Sequence, residues 1–284
     1  MESLVNWEAI HKLSMPPMMR EGARHKPDAE GEQRFADFYN RMAAMETAYT
    51  PNQVNALPLL PEDTLLDMGC GPGRLSVPLA ARVKSVTALD VSDAVLRHCE
   101  ANAKAAGAGN LLTKKLDFHD AVAGGNVEKH DVVICSRSVA LGDLRKLSTF
   151  AKRMAAVVTF ANAPTIPHLL SGVFKDASAE PRPPFMQHGI DRKVNYNVLF
   201  NIAYDLGYEP NVRVVEDGFS KTYASREEAE ADIVTLGKVD ADKADVFKKN
   251  LAPFLRANDA GGVTFFMETR SAVIWWMIDN KKFF

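Results

Sequence analysis

The stretch Leu66-Asp67-Met68-Gly69-Cys70-Gly71-Pro72-Gly73 runs from apolar residues into a turn in which every second residue is glycine. Glycine accepts positive backbone angles and leaves room for a ligand against the main chain, and Arg74 to Ala81 can then begin a helix. A Gly-x-Gly-x-Gly turn alone is shared by dinucleotide-binding proteins and by plain turns. The neighbouring acids therefore decide the chemistry. Asp67, two residues before the first glycine, would repel a pyrophosphate and attract an ammonium group. Asp90 ends the run Val86-Thr87-Ala88-Leu89, seventeen residues past Gly73, where a carboxylate can accept hydrogen bonds from both hydroxyls of a ribose. In Leu116-Asp117-Phe118 a carboxylate can accept from an adenine amino group while Phe118 borders the base.

These acids need strands to deliver them to one edge, and the sequence supplies the strands. Thr64 to Met68, Ser85 to Leu89, Asn110 to Leu116, Asp131 to Cys135 and Ala155 to Phe160 are short apolar runs separated by helix-like segments. That alternation predicts parallel strands with helical crossovers on both faces. Ser92 caps a helix through Val95, Leu96 and Cys99 that stops at Gly107. A helix over Asp191 to Leu206 leads to a strand at Val212 to Val215. Val263 to Ile278, with Glu268, Thr269 and Arg270 near its middle, reads as a bent strand or two short ones.

The first sixty residues divide into an irregular piece, with Pro16, Pro17 and Pro27, and a helix after Asp28 that places Phe35, Phe38, Met42, Met45 and Tyr49 on one face. Two stretches fall outside the repeating unit. Ala163 to Gln187 holds Pro164, Pro167, Pro181, Pro183 and Pro184, which excludes long regular structure over much of it. The other is helical: Ser225 and Glu228 form a capping box, and Ala244, Phe247, Leu251 and Leu255 an amphipathic run.

Asp67, Gly69, Gly71, Gly73 and Asp90 together resemble the first motifs of the class I S-adenosylmethionine-dependent methyltransferases, over a core of about Thr64 to Ala161. The resemblance implies a doubly wound, mostly parallel seven-stranded α/β sheet whose last strand is antiparallel. It implies S-adenosylmethionine lying against Asp67, Gly69, Cys70, Gly71, Gly73, Asp90, Val91, Asp117, Phe118 and Ser136, with Cys70 a small filler. The expected organisation is an N-terminal segment and helical lid over 1–60, then a methyltransferase domain over 61–284 with cap insertions at about 163–190 and 225–260.

On the acceptor side the chain reads Ile134-Cys135-Ser136-Arg137-Ser138 after the fourth strand. It lacks the Asn/Asp-Pro-Pro-aromatic signature of amino-group methylation and the Pro-Cys pair of cytosine-C5 enzymes, which favours a small-molecule acceptor. Arg137 and Asn195 are the candidates for binding it; an exposed Arg137 bridging loop carbonyls is the plainer alternative. His168, His188 and Tyr196 are the candidates for catalysis, and Trp7 and the Phe35 to Tyr49 stripe for a place near the sulfonium, with a plain core stripe as the alternative.

Bulk properties narrow the field further. With 34 Lys plus Arg against 36 Asp plus Glu there is no basic surplus for a phosphate backbone, so nucleic acid is disfavoured. Cys70, Cys99 and Cys135 lack zinc spacings and read as reduced thiols, no metal is expected, and Met1 to Ile10 lacks the pattern of a signal peptide. A cytoplasmic protein without a membrane partner is expected, with a homo-oligomer left open. The competing readings are a methyltransferase of RNA or protein, a non-catalytic S-adenosylmethionine-binding subunit, and a nicotinamide-dependent oxidoreductase, which Asp67 disfavours.

Overall fold

The computed structural model describes residues 4–14, 28–161, 164–179 and 195–279. The chain opens with α1 (Trp7–Ser14), α2 (Ala29–Met45) and α3 (Thr50–Asn55), then alternates: β1 (Thr64–Met68), α4 (Ser76–Ala80), β2 (Ser85–Asp90), α5 (Asp93–Ala105), β3 (Leu111–Lys115), β4 (His130–Ser136), α6 (Leu144–Thr149) and β5 (Ala151–Phe160). It continues through α7 (Ile166–Val173), α8 (Tyr196–Asp205), β6 (Asn211–Tyr223), α9 (Arg226–Ile233), α10 (Ala244–Leu251), β7 (Leu255–Ala257) and β8 (Val263–Met277).

The sheet order is β3-β2-β1-β4-β5-β8-β6, with β7 added against β8. Strands β1 to β5 pair in parallel and β8 runs antiparallel to both neighbours. This is the expected doubly wound sheet with one short extra strand. Alternation along the strands buries both faces: Leu66, Met68, Val133 and Cys135 enter one core, Leu65, Val132 and Ile134 the other. No helix among the described residues is long and apolar enough to cross a membrane.

The last strands depart from expectation. β8 is one continuous strand of 15 residues, and β6 spans 13 instead of the four anticipated. Beyond Phe160, where β5 ends opposite Ser271, β6 and β8 continue paired with each other as far as Tyr223 and Val263. Polar Glu268, Thr269 and Arg270 suggested a break; in the ribbon they pair with Gly218, Asp217 and Glu216. The ribbon rises past the carboxyl edge of the sheet and carries a separate apolar cluster. Phe219, Phe265 and Met267 of the ribbon, Ile166 and Leu170 of α7, Ile233 of α9 and Phe247 and Leu251 of α10 form it.

Two further corrections concern helices. The N-terminal piece read as irregular contains α1, whose first turn is capped by Asn6 accepting from the Ala9 N–H at 2.8 Å. Trp7 packs with Ile10 against the core that holds α8, and His11 Nε2 lies 3.0 Å from the Leu141 carbonyl. Within the Pro-rich stretch, Thr165 caps α7 and Pro167 falls in its first turn, where a missing N–H costs nothing. The apolar stripe of α2 also divides. Phe38, Met42 and Met45 join the apolar cluster on the ribbon, Phe35 is exposed, and Tyr49 lies beyond the helix.

Candidate functional site

The glycine turn begins where β1 ends. Gly69 and Cys70 donate their N–H groups to the Leu89 carbonyl at 2.8 and 2.9 Å, tying the turn to the end of β2. Gly71 has φ +57°, and a Cβ there would sit 2.8 Å from the Tyr39 hydroxyl; only glycine suits both the angle and the contact. Tyr39 belongs to α2, which lies along α5 over the turn. Ser92 Oγ donates to Glu32 Oε1 at 2.6 Å, Arg97 Nη2 to Gln33 Oε1 at 2.8 Å, and Asn102 Nδ2 to both Asn40 Oδ1 and the Pro72 carbonyl at 2.8 Å. Burial pushes the Tyr39 phenol up to about 12, with Arg74 opposing and Glu46 and Asp90 adding to the rise.

Asp67 is 2% exposed. Its Oδ2 accepts from Ser76 Oγ at 2.6 Å, while Oδ1 is buried without a partner. Burial raises its pKa to about 6, against the Ser76 hydrogen bond and the Arg74 charge, which favour ionisation. An orphaned carboxylate oxygen beside a glycine turn fits an ammonium group. Asp90 accepts from Gly71 N at 3.0 Å through Oδ2 and from Ser92 N at 3.1 Å through Oδ1; burial raises its pKa. Each oxygen keeps further lone-pair capacity.

Other anticipated residues fall as follows. Asp117 accepts from the His119 N–H at 2.8 Å and lies 2.9 Å from its Nδ1; the Phe118 ring is a core side chain with the Lys146 ammonium 4.9 Å from its centroid. Val91 is exposed beside Asp90. Cys70 is buried, and a neighbouring Cys99 and burial push its thiol well above the ordinary range, so it is no nucleophile. Asn195 Oδ1 caps α8 by accepting from Tyr196 N at 2.7 Å, leaving Nδ2 unpartnered, and Tyr196 packs on the core. His168 is half-buried on α7 with Nδ1 unpartnered, and His188 lies outside the described residues.

Arg137 is a correction to the exposed, carbonyl-bridging alternative. At φ +51° its side chain turns inward and is 17% exposed. Nη1 donates to Glu46 Oε2 at 2.7 Å, Nη2 pairs with Asp217 and donates to Ser271 Oγ at 2.8 Å, and the guanidinium carbon stands 3.9 Å from the Phe160 centroid. Burial opposes its charge, but Glu46 and Asp217 outweigh burial and raise its pKa. Arg74 adjoins this group: Nη1 donates to Gln53 Oε1 at 2.8 Å and lies 3.4 Å from Glu46 Oε2, and Nη2 donates to Ser136 Oγ at 2.7 Å.

The structure thus gathers Asp67, the glycines, Asp90, Ser136 and Arg137 at the carboxyl edge of β1, β2 and β4. Sequence reasoning missed Tyr39, Glu46, Gln53, Arg74, Asp217 and Ser271. Arg74 had a signal, standing directly after the last glycine. Among the described residues no cluster of three or more His, Cys, Asp or Glu side chains has the arrangement of a metal site.

Residues 65–160 match the family described as Methyltransferase domain. The chain carries a class I, S-adenosylmethionine-dependent methyltransferase domain. Three relatives accompany that match. An uncharacterized protein of Haemophilus influenzae is 27% identical over 267 residues, 89% of this chain and 91% of the relative. The 23S rRNA (uracil(1939)-C(5))-methyltransferase RlmD of Photobacterium angustum is 40% identical over 57 residues, 20% of this chain and 26% of its own. The ubiquinone biosynthesis O-methyltransferase of Nitrosomonas europaea is 38% identical over 76 residues, 27% of this chain and 32% of its own. The methyltransferase takes its methyl group from S-adenosylmethionine.

Proposed function

We propose that this methyltransferase transfers the methyl group to a small-molecule acceptor held between the glycine turn and the cap. Asp67 Oδ1 holds the ammonium group of the donor, Asp90 its ribose hydroxyls, and Asp117 its adenine, with Gly69, Cys70, Gly71, Gly73, Val91, Phe118 and Ser136 lining the path. The bound donor supplies a methyl group on positive sulfur, so the chain need supply mainly alignment and water exclusion. α2 is the lid, with Tyr39 over Gly71; α7, α9 and α10 with the β6–β8 ribbon are the cap. A base is required only for an acceptor that arrives protonated, and His168, with its free Nδ1, is assigned to that role.

The observation that carries the small-molecule reading is the charge buried at the strand ends. Asp67 and Asp90 stand there at the ends of β1 and β2, and beside them Glu46 and Asp217 balance Arg74 and Arg137, which leaves no surplus of positive charge to draw a phosphodiester backbone. The printed activity of the Nitrosomonas relative, O-methylation in ubiquinone biosynthesis, agrees with such an acceptor, although relatives that methylate 23S rRNA match over stretches of 57 and 111 residues against its 76.

Cell extract incubated with the enzyme and methyl-labelled S-adenosylmethionine, then divided by ultrafiltration, tests the reading. Enzyme-dependent label is expected in a compound of the filtrate. Label in the retained RNA or protein, with none in the filtrate, would contradict it.

A further inference from the structure

Two guanidinium groups converge on one carboxylate oxygen at the edge of the sheet. Glu46 Oε2 lies 2.7 Å from Arg137 Nη1 and 3.4 Å from Arg74 Nη1, and the three side chains are only 9, 17 and 11% exposed in that order. Arginine pairs of this kind recognise carboxylates because their donors match the acceptor's lone pairs and their charge is permanent. Here the chain itself supplies the carboxylate, from the C-cap of α2.

The two arginines differ in their other partners. Arg137 also has the Asp217 carboxylate, whereas Arg74 has only the neutral oxygens of Gln53 and Ser136 besides Glu46 among the described residues. Two donors in the group are unused. Gln53, 1% exposed and bound to Arg74 through Oε1, leaves Nε2 without a partner, and Arg137 leaves Nε. Asp67 nearby leaves an acceptor unused. Unused buried donors beside an unused buried acceptor call for a ligand bearing a carboxylate, and for a zwitterion if one ligand serves both.

We propose that Arg74, Gln53 and Arg137 form a carboxylate-binding subsite that Glu46 fills as an internal occupant, and that a carboxylate of the ligand takes the place of Glu46. The inference rests on the glycine turn holding the methyl donor. Exchange keeps both arginines paired throughout, so no buried guanidinium loses its counter-charge. The displaced Glu46 moves with the end of α2, which couples the lid to occupancy. The carboxylate comes either from the amino-acid end of the donor or from an acidic acceptor.

Glu46→Gln separates these outcomes, since it removes the competing charge at nearly constant volume. S-adenosylhomocysteine and 5′-methylthioadenosine, which lacks the amino-acid end, are titrated into wild type and variant; benzoate is then titrated into each protein saturated with S-adenosylhomocysteine. About tenfold tighter binding of S-adenosylhomocysteine by the variant, with 5′-methylthioadenosine unchanged, assigns the subsite to the donor. Unchanged S-adenosylhomocysteine with benzoate binding to the saturated variant more tightly than to saturated wild type assigns it to an acidic acceptor. A variant that tightens neither overturns the proposal. A misfolded variant would not gain affinity, and Arg74→Gln supplies the converse in the donor case: weaker S-adenosylhomocysteine with 5′-methylthioadenosine unchanged. Wild type that binds neither nucleoside would instead refute the cofactor assignment on which the inference stands.

Discussion

Replacing Asp90 by Ala is expected to weaken S-adenosylhomocysteine binding at least about a hundredfold while the chain stays folded. Two ribose hydroxyls donating to a carboxylate are worth about 1.5–3 kcal/mol each, and tenfold in affinity corresponds to about 1.4 kcal/mol. A second contribution adds to this, because Asp90 also accepts from Gly71 N and Ser92 N and so holds the glycine turn in shape. Calorimetry measures the loss and circular dichroism checks the fold. A folded variant with the wild-type dissociation constant would place the ribose elsewhere.

The second large effect concerns stability. Arg137→Met leaves the Asp217 carboxylate, whose side chain is 0% exposed, buried with the Ser271 hydroxyl and the Gly218 N–H as donors but without its paired counter-charge. Breaking a buried pair in this way costs about 3–5 kcal/mol, roughly 10 °C of melting temperature for a chain of this size. In wild type, burial pushes the Asp217 pKa up, but the Arg137 charge and the Ser271 hydroxyl pull it below its ordinary value. Its stabilising contribution is therefore present above the ordinary carboxylate range and lost as pH falls through the depressed value. In the variant burial acts with less opposition and the sign reverses: stability recovers as pH falls toward the range where Asp217 can protonate. Adding Asp217→Asn should restore much of the loss at neutral pH. A single variant as stable as wild type would mean that water already reaches Asp217.

What could be read from the sequence was what is local. The glycine turn, Asp67 and Asp90 are each defined within a few residues of a strand end, and the strands themselves announce their periodicity. The ion network is not local. Arg137 meets Glu46, Asp217 and Ser271 across 91, 80 and 134 residues, and no short-range pattern ties Glu46, at the end of an amphipathic helix, to an arginine after β4. The ribbon escaped for a related reason. Past the end of β5 its strands pair with each other and, at Val263 to Phe265, with β7, and outward positions such as Glu268 and Arg270 carry charge, which reads in the sequence as an interruption of the apolar run. α1 was hidden by its eight-residue length and by the prolines that follow it.

The claim on which most depends is that the donor's ammonium group meets Asp67 beside the glycine turn. Burial raises the Asp67 pKa to about 6, so its contribution to stability is fully present below the ordinary carboxylate range and lost as pH rises through 6. Ionised Asp67 thus costs the ligand-free protein about 3 kcal/mol above that pH. Asp67→Asn removes that cost together with the partner of the ammonium. The direct measurement is thermal melting and S-adenosylhomocysteine titration of both proteins at pH 7.5. The expected result is two changes of opposite sign: the variant melts higher than wild type without ligand, yet binds the ligand at least about tenfold more weakly. A variant that binds S-adenosylhomocysteine as tightly as wild type would contradict the account.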